Sequence, residues 1–212
     1  MFCALTNVFG QEREIAEQEF SALVSKAFQN LTGKMYRLTM INESFLGGGA
    51  EPRSVLTMTT EVAPPDRRRT ISVFKSPSLN SKTETVWIGS KGYTRKEDGA
   101  WEDFKPNIKA ITGGIYNTAK ASFKFIEKTS INDQAVNVYE STRQYAPDAN
   151  GAEMLEKMRY WITDTGVFLK RLSEIESTGK NLKMLSRTTT TYEYVQDIKI
   201  EAPIAAKKTK TQ

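Results

Sequence analysis

The chain has 212 residues, 39% of them hydrophobic and 26% charged, an ordinary composition for a single globular domain. It carries 30 Lys and Arg against 25 Asp and Glu, but part of that excess sits in the tail at Lys207, Lys208 and Lys210. No basic stripe is interleaved with stacking aromatics, so a nucleic acid is not an expected partner. The chain contains no His and one Cys, which removes Ser-His-Asp and Cys-His nucleophiles, His-containing zinc sites and intrachain disulfides together. No enzymatic activity, metal or cofactor is expected.

Taken in chain order, residues 1–10 are mildly apolar and switch abruptly to Gln11, Glu12, Arg13 and Glu14. Val8 and Gly10 suit the small-residue positions before a signal-peptidase cut, so this stretch is expected to be the remnant of an export signal. Cys3 has no lipobox before it, and a small buried thiol or a signal-peptide residue accounts for it better than a lipid anchor. No run reaches the roughly 20 apolar residues of a membrane-spanning helix.

Across residues 12–31, Ala16, Phe20, Leu23, Ala27 and Leu31 recur at helical spacing, predicting an amphipathic helix that Gly33 terminates. Residues 34–42 then alternate, with Tyr36, Leu38 and Met40 on one face of a strand. The glycines at 47–49 lack the Lys-Ser/Thr and the following helix of a phosphate-binding loop, and read as a turn. A second strand at 55–62 places Leu56, Met58 and Val62 together, and a third at 70–75 carries Ile71 and Val73. The arginines at 67–69 are expected to guard an exposed strand start.

Residues 83–104 form a meander of short hairpins around Trp87, Tyr93 and Trp101, punctuated by Gly89, Gly92 and Gly99. From Asn107 the period changes, and Ile108, Ile111, Ile115, Ala119, Ser122 and Ile126 trace a helical face. Gly113 and Gly114 interrupt it at about 1 kcal/mol each relative to alanine, which makes this segment a broken helix and a candidate lid. Strand character returns over 129–145, and residues 152–157 offer at most one helical turn. The run 158–172 reaches the turn Thr163-Asp164-Thr165-Gly166 and resumes as a second strand, a hairpin with an Asp/Gly connection. A Thr- and Tyr-rich strand at 182–194 and a short one at 198–200 follow, and residues 204–212 are expected to be a disordered basic tail.

The fold class is therefore α+β and mainly antiparallel: an unclosed half-barrel of roughly nine to eleven strands, with an N-terminal helix and a mid-chain helical plug on the concave face. Residues 11–203 make up one domain.

Four pieces carry a family likeness: Phe28 to Leu31 followed by Tyr36, Arg37 and Leu38; Gly92-Tyr93-Thr94-Arg95 with Asp98-Gly99-Ala100-Trp101; the hairpin Tyr160-Trp161-Ile162-Thr163-Asp164 with Gly166; and the ending Tyr192, Tyr194, Ile198, Ile200 and Pro203. In that order and spacing the chain resembles the periplasmic lipoprotein-carrier superfamily, the LolA-like unclosed β-barrels, which also includes mycobacterial lipid-binding lipoproteins and periplasmic sigma-factor regulators. The resemblance implies bacterial export to the periplasm and an apolar cavity for lipid or lipoprotein acyl chains. It also implies a membrane or membrane-protein donor and acceptor for that cargo, and a monomer is expected. Carriers of lipoproteins use a strand arginine to hold a helical lid shut; Arg37 is the candidate here, and nothing in the sequence singles it out.

Alternation assigns Tyr36, Leu38, Met40, Leu56, Met58, Ile71 and Val73 to the cavity lining, opposed by Ile108, Ile111 and Ile115. A filled core without a cavity is the competing reading, since apolar stripes usually pack on each other. The seven methionines favour an adaptable lining. Trp101 and Trp161 sit beside Asp/Gly turns, where cross-strand packing explains them. The acidic residues Glu97, Asp98, Glu102 and Asp103 fit turn and surface positions without forming an acid-base pair. A sensor that binds a partner protein, without lipid, is the alternative function.

Overall fold

The computed structural model describes residues 12–104, 118–147, 151–179 and 182–203. One short strand, β1 (Arg13–Glu14), precedes the helix α1 (Glu17–Gln29). Then come β2 (Tyr36–Leu46), β3 (Ser54–Ala63), β4 (Arg67–Lys75), β5 (Asn80–Ile88), β6 (Lys91–Lys96) and β7 (Glu102–Phe104). The second half contains β8 (Thr118–Ile131), β9 (Gln134–Tyr145), β10 (Glu153–Thr163), β11 (Phe168–Gly179) and β12 (Leu182–Tyr194). All belong to one unclosed antiparallel sheet in the order β1-β8-β9-β10-β11-β12-β2-β3-β4-β5-β6-β7.

Helix α1 starts later than its apolar period predicts, because Arg13 and Glu14 pair with Phe125 and Lys124 as a strand before the chain turns. Glu17 and Glu19 lie in its first turn and Lys26 in its last, the arrangement that complements the helix dipole. Its apolar stripe buries Phe20 and Ala27 in a cluster with Phe123, Phe125, Tyr160, Ile162 and Phe168. Phe20 meets the Phe123 ring at 5.0 Å and the Tyr160 ring edge-on at 5.7 Å, geometries that add to plain area burial.

The sheet bends around this helix. From β8 to β5 the strands span about 40 Å at ordinary strand spacing, and a 13-residue helix is only about 20 Å long. Even so, α1 packs on β8, while Leu31, Thr32 and Gly33 just beyond its end line a groove with Val62, Arg68 and Trp87 of β3, β4 and β5. One helix reaches both only because the sheet curls, so the helix-bearing face is concave. The architecture agrees with the expected half-barrel.

Several expected elements differ. Ala119, Ser122 and Ile126, assigned to the second half of a helix, lie in strand β8, where Phe123 and Phe125 alternate toward α1 and the backbone pairs with β9 along its length. Cross-strand pairing overrides a helical period that the apolar residues also satisfied. The first half of that helix, with Ile108, Ile111, Ile115, Gly113 and Gly114, lies outside the described residues, as do the segment 1–10 and the tail 204–212. Residues 153–157 are strand, not helix. Residues 198–200 are not a strand: Ile198 and Ile200 pack as irregular chain on Ala63, Val86 and Tyr93, with Arg67 Nη1 donating to the Ile200 carbonyl at 2.8 Å.

Candidate functional site

Strand alternation concentrates the ion pairs of the sheet on one of its faces. On the convex face, register places Glu193 beside Arg37, Arg37 beside Glu61, Glu61 beside Arg69 and Glu84 beside Arg95, with Arg69 and Glu84 diagonal neighbours. Opposite charges therefore alternate across six consecutive strands. Arg37 donates to Glu61 at 2.8 Å and to Glu193 at 3.1 Å, and Arg69 and Arg95 each reach Glu84 at 2.6 Å. Burial opposes the Glu84 charge, yet the hydrogen bonds from Arg95 and Arg69 and their charges outweigh it and hold the carboxyl below its ordinary range. A second set on the same face joins Arg159 to Glu140 at 2.6 Å and Arg187 to Glu174 at 2.8 Å.

Arg37 is thus committed to the convex ladder and cannot serve as a cavity-side latch. The arginines at 67–69 are likewise accounted for: Arg67 holds the Ile200 carbonyl, Arg68 stacks 4.7 Å over Trp87, and Arg69 pairs with Glu84. Trp101 and Trp161 also lie under cations, Arg95 and Lys170, each at 4.8 Å.

The concave face is mostly apolar and hydroxylic; over β9 to β3 its charged residues are Arg143, Glu156 and Arg171. Its central row runs from Tyr160 through Arg171, Thr190, Met40 and Met58 to Ser72, one residue per strand from β10 to β4. The neighbouring rows hold Tyr192, Leu38, Thr60 and Thr70 on one side, and Ser173, Thr188, Asn42, Leu56 and Phe74 on the other. Helix α1 fills the half of this face over β8 to β11. Over β2 and β3, Leu38, Met40, Leu56 and Met58 are half-buried rather than sealed.

The register brings Tyr36, Leu38, Met40, Leu56 and Met58 together, and it moves Ile71 and Val73 to the other face, beside Thr59 and Thr57. The cause is the β3–β4 connection: Ala63 pairs with Arg67, so three residues lie between them, and even-numbered positions pair with even-numbered ones. A two-residue turn would have given the expected arrangement; a one-residue change in register flips every side chain. Ser72 and Phe74 occupy the positions expected of Ile71 and Val73.

At one end of the concave face, Tyr36, Val62, Arg68 and Trp87 line a groove of 390 Å³ with Leu31 and Gly33. Tyr36, Tyr192 and Tyr194 cluster there with centroids 6.4 Å apart around Tyr36, and the Tyr194 hydroxyl donates to the Phe168 carbonyl at 3.0 Å. Burial raises all three phenols above their ordinary range, so they act as neutral hydrogen-bonding groups. No cluster of potential metal ligands occurs among the described residues, and no helix among them is long and apolar enough to cross a membrane.

No protein-family model matches the chain, and no curated protein matches it. Similar solved structures include a LolA superfamily protein from Nitrosomonas europaea, 11% identical with a TM-score of 0.34, the match covering 84% of this chain and 94% of that one. A DUF1329 family protein from Desulfovibrio piger is 7% identical with a TM-score of 0.33, covering 86% and 94%. An outer membrane lipoprotein-sorting protein domain from Vibrio parahaemolyticus is 9% identical with a TM-score of 0.31, covering 86% and 93%. With scores of that size, the functional reading rests on the two faces of the sheet.

Proposed function

We propose that the protein binds and carries lipid or lipoprotein acyl chains outside the cytoplasm, on the concave face of the half-barrel. One observation carries this reading: the face that bears the helix is lined by Leu38, Met40, Leu56, Met58 and Phe74, half-buried and flanked by hydroxyls, while charged residues are concentrated on the opposite face. The convex face also buries a cluster of Ala63, Val86 and Ile200 under the chain that follows β12, whereas the apolar row over β2 and β3 stays half-buried on the helix side. Each methylene of an acyl chain removed from water there contributes about 0.8 kcal/mol, and methionine lining adapts to chains of differing shape. Ile108, Ile111 and Ile115 are proposed to complete the lining.

The test is direct. Protein purified from its native export pathway should release lipid into an organic extract, show a lipid-bound mass in native mass spectrometry, and bind a fluorescent long-chain probe after delipidation. Failure of all three measurements would refute the proposal.

A second reading, docking of a partner, is favoured by a separate observation. Leu46, Met184 and Leu182, at the far ends of β2 and β12, are exposed together, with Leu46 directly opposite Met184. An apolar rim at a strand end suits contact with a membrane surface or with the protein that delivers or receives cargo. Simultaneous polar substitution of Leu46 and Met184 should then abolish delivery to vesicles and leave probe binding intact.

A further inference from the structure

Arg171 lies on the concave face with no carboxylate partner and no aromatic ring under its charge among the described residues. Arg171 faces Tyr160 on one side and Thr190 on the other, in the same row as Met40 and Met58. Its Nε is closed off from solvent and makes no hydrogen bond among the described residues, and the same is true of the Thr190 hydroxyl, on a residue only 3% exposed. Every arginine of the two convex ladders has its carboxylate. On the concave face of strands β9 to β3 the single carboxylate is Glu156, and the Tyr145 hydroxyl donates to it at 2.8 Å. Glu156 also stands four residues, about 13 Å, along β10 from Tyr160. Outside the described residues the sequence contains one acid, Asp148, in the connection before β10.

Two neighbouring donors, one of them permanently charged, therefore lack an acceptor in an apolar setting where unpaired polar atoms are costly. An ester carbonyl would satisfy the hydrogen bonds but leave the guanidinium charge uncompensated; an oxyanion satisfies both. We propose that Arg171 and Thr190 anchor the oxyanion head group, carboxylate or phosphate monoester, of an amphiphile whose chain lies along Met40 and Met58. This rests on the acyl-chain reading above and specifies its cargo as acidic. The register sets Arg171 between Tyr160 and Thr190 in the central row of the face, and its charge opposes the rise that burial gives the Tyr160 and Tyr192 phenols.

The experiment compares matched pairs of ligands on the full, delipidated chain: palmitate with methyl palmitate, and lysophosphatidate with monopalmitoylglycerol. The wild type should bind the acid of a pair roughly tenfold or more tightly than its neutral analogue, the scale of one charge-assisted hydrogen-bonded contact. The pair showing the larger ratio identifies the head group. Arg171→Met should weaken only the acids and remove the preference. Thr190→Val, which keeps the side-chain shape, should reduce the acid's affinity by about threefold and supplies the answer should the arginine variant fail to fold. Equal binding of acid and neutral analogue by the wild type, or a preference that survives both substitutions, overturns the anchor and leaves the acyl-chain reading standing. Absence of binding by either member of both pairs overturns the two together.

Discussion

Glu84 is 2% exposed and accepts from two arginines that are themselves partly solvated. Replacing it with Gln leaves Arg69 and Arg95 facing each other without the charge that joins them. Glu84→Gln should destabilise the protein by about 2 kcal/mol, since breaking a buried pair costs several kcal/mol and partial hydration of the arginines recovers some of it; the midpoint of urea unfolding reads the change. Because the folded carboxyl is held below its ordinary value, the stabilisation is complete above the unfolded value of about 4.3 and disappears as pH falls through the folded one. Wild-type stability should therefore decline on acidification below about pH 5, and more steeply than that of Glu84→Gln. Phe168 tests the other face. It is fully buried between the rings of Phe28 and Tyr192, at 4.8 and 5.8 Å, so Phe168→Ala should cost about 3–5 kcal/mol and lower the thermal midpoint by several degrees.

At the scale of elements, the hairpin of β10 and β11 is also the support for the end of α1. Its turn places Gly166 at φ +78°, with Gly166 N–H donating to the Thr163 carbonyl at 2.8 Å. The Asn30 side chain, just past the helix, donates to the Gly166 carbonyl at 2.7 Å. A Cβ at position 166 would sit 3.0 Å from the Asn30 amide nitrogen. Gly166→Ala combines a left-handed backbone with that close approach and should cost about 1–2 kcal/mol, as should Asn30→Ala by about 1 kcal/mol through the lost bond. In a double-mutant cycle the two should be non-additive.

The hairpin itself was legible in the sequence because Asp164 and Gly166 interrupt two alternating runs. The segment 118–126 was not: Ala119, Ser122 and Ile126 fit a helical period, and only the partner strand, β9, decides between helix and strand. The faces of β2 and β3 were likewise readable from Leu38, Met40, Leu56 and Met58. Those of Ile71 and Val73 depended on the length of one turn, which no side-chain pattern encodes. Arg171 and Thr190 carried no local signal, since an arginine after lysine and a threonine among threonines read as surface residues until register sets them side by side.

For the molecule as a whole, adjacent residues on opposite faces give the sharpest test. Met58→Lys places a charge on the concave face, whereas Thr57→Lys places one on the convex face, between Ile41 and Val73. The first should weaken long-chain probe binding by about tenfold, the affinity equivalent of roughly 1.4 kcal/mol, and the second should leave it unchanged, with circular dichroism confirming both folds. Equal effects would remove the distinction between the faces on which the carrier reading depends.

The order of strands also dictates when the concave row comes into existence. Every neighbouring pair from β2 to β7 and from β8 to β12 is consecutive in the chain, so two meanders form from local contacts, and they meet along a single seam where eleven residues of β12 align with β2. That seam joins strands from opposite ends of the polypeptide, the kind of contact that pays its loop-closure entropy last. Thr190 and Met40 face each other directly across it. Neither meander alone carries the complete row, so the concave row exists only once the seam has closed. A ligand bound across Thr190 and Met40, as proposed, would in turn act as a clasp on that junction.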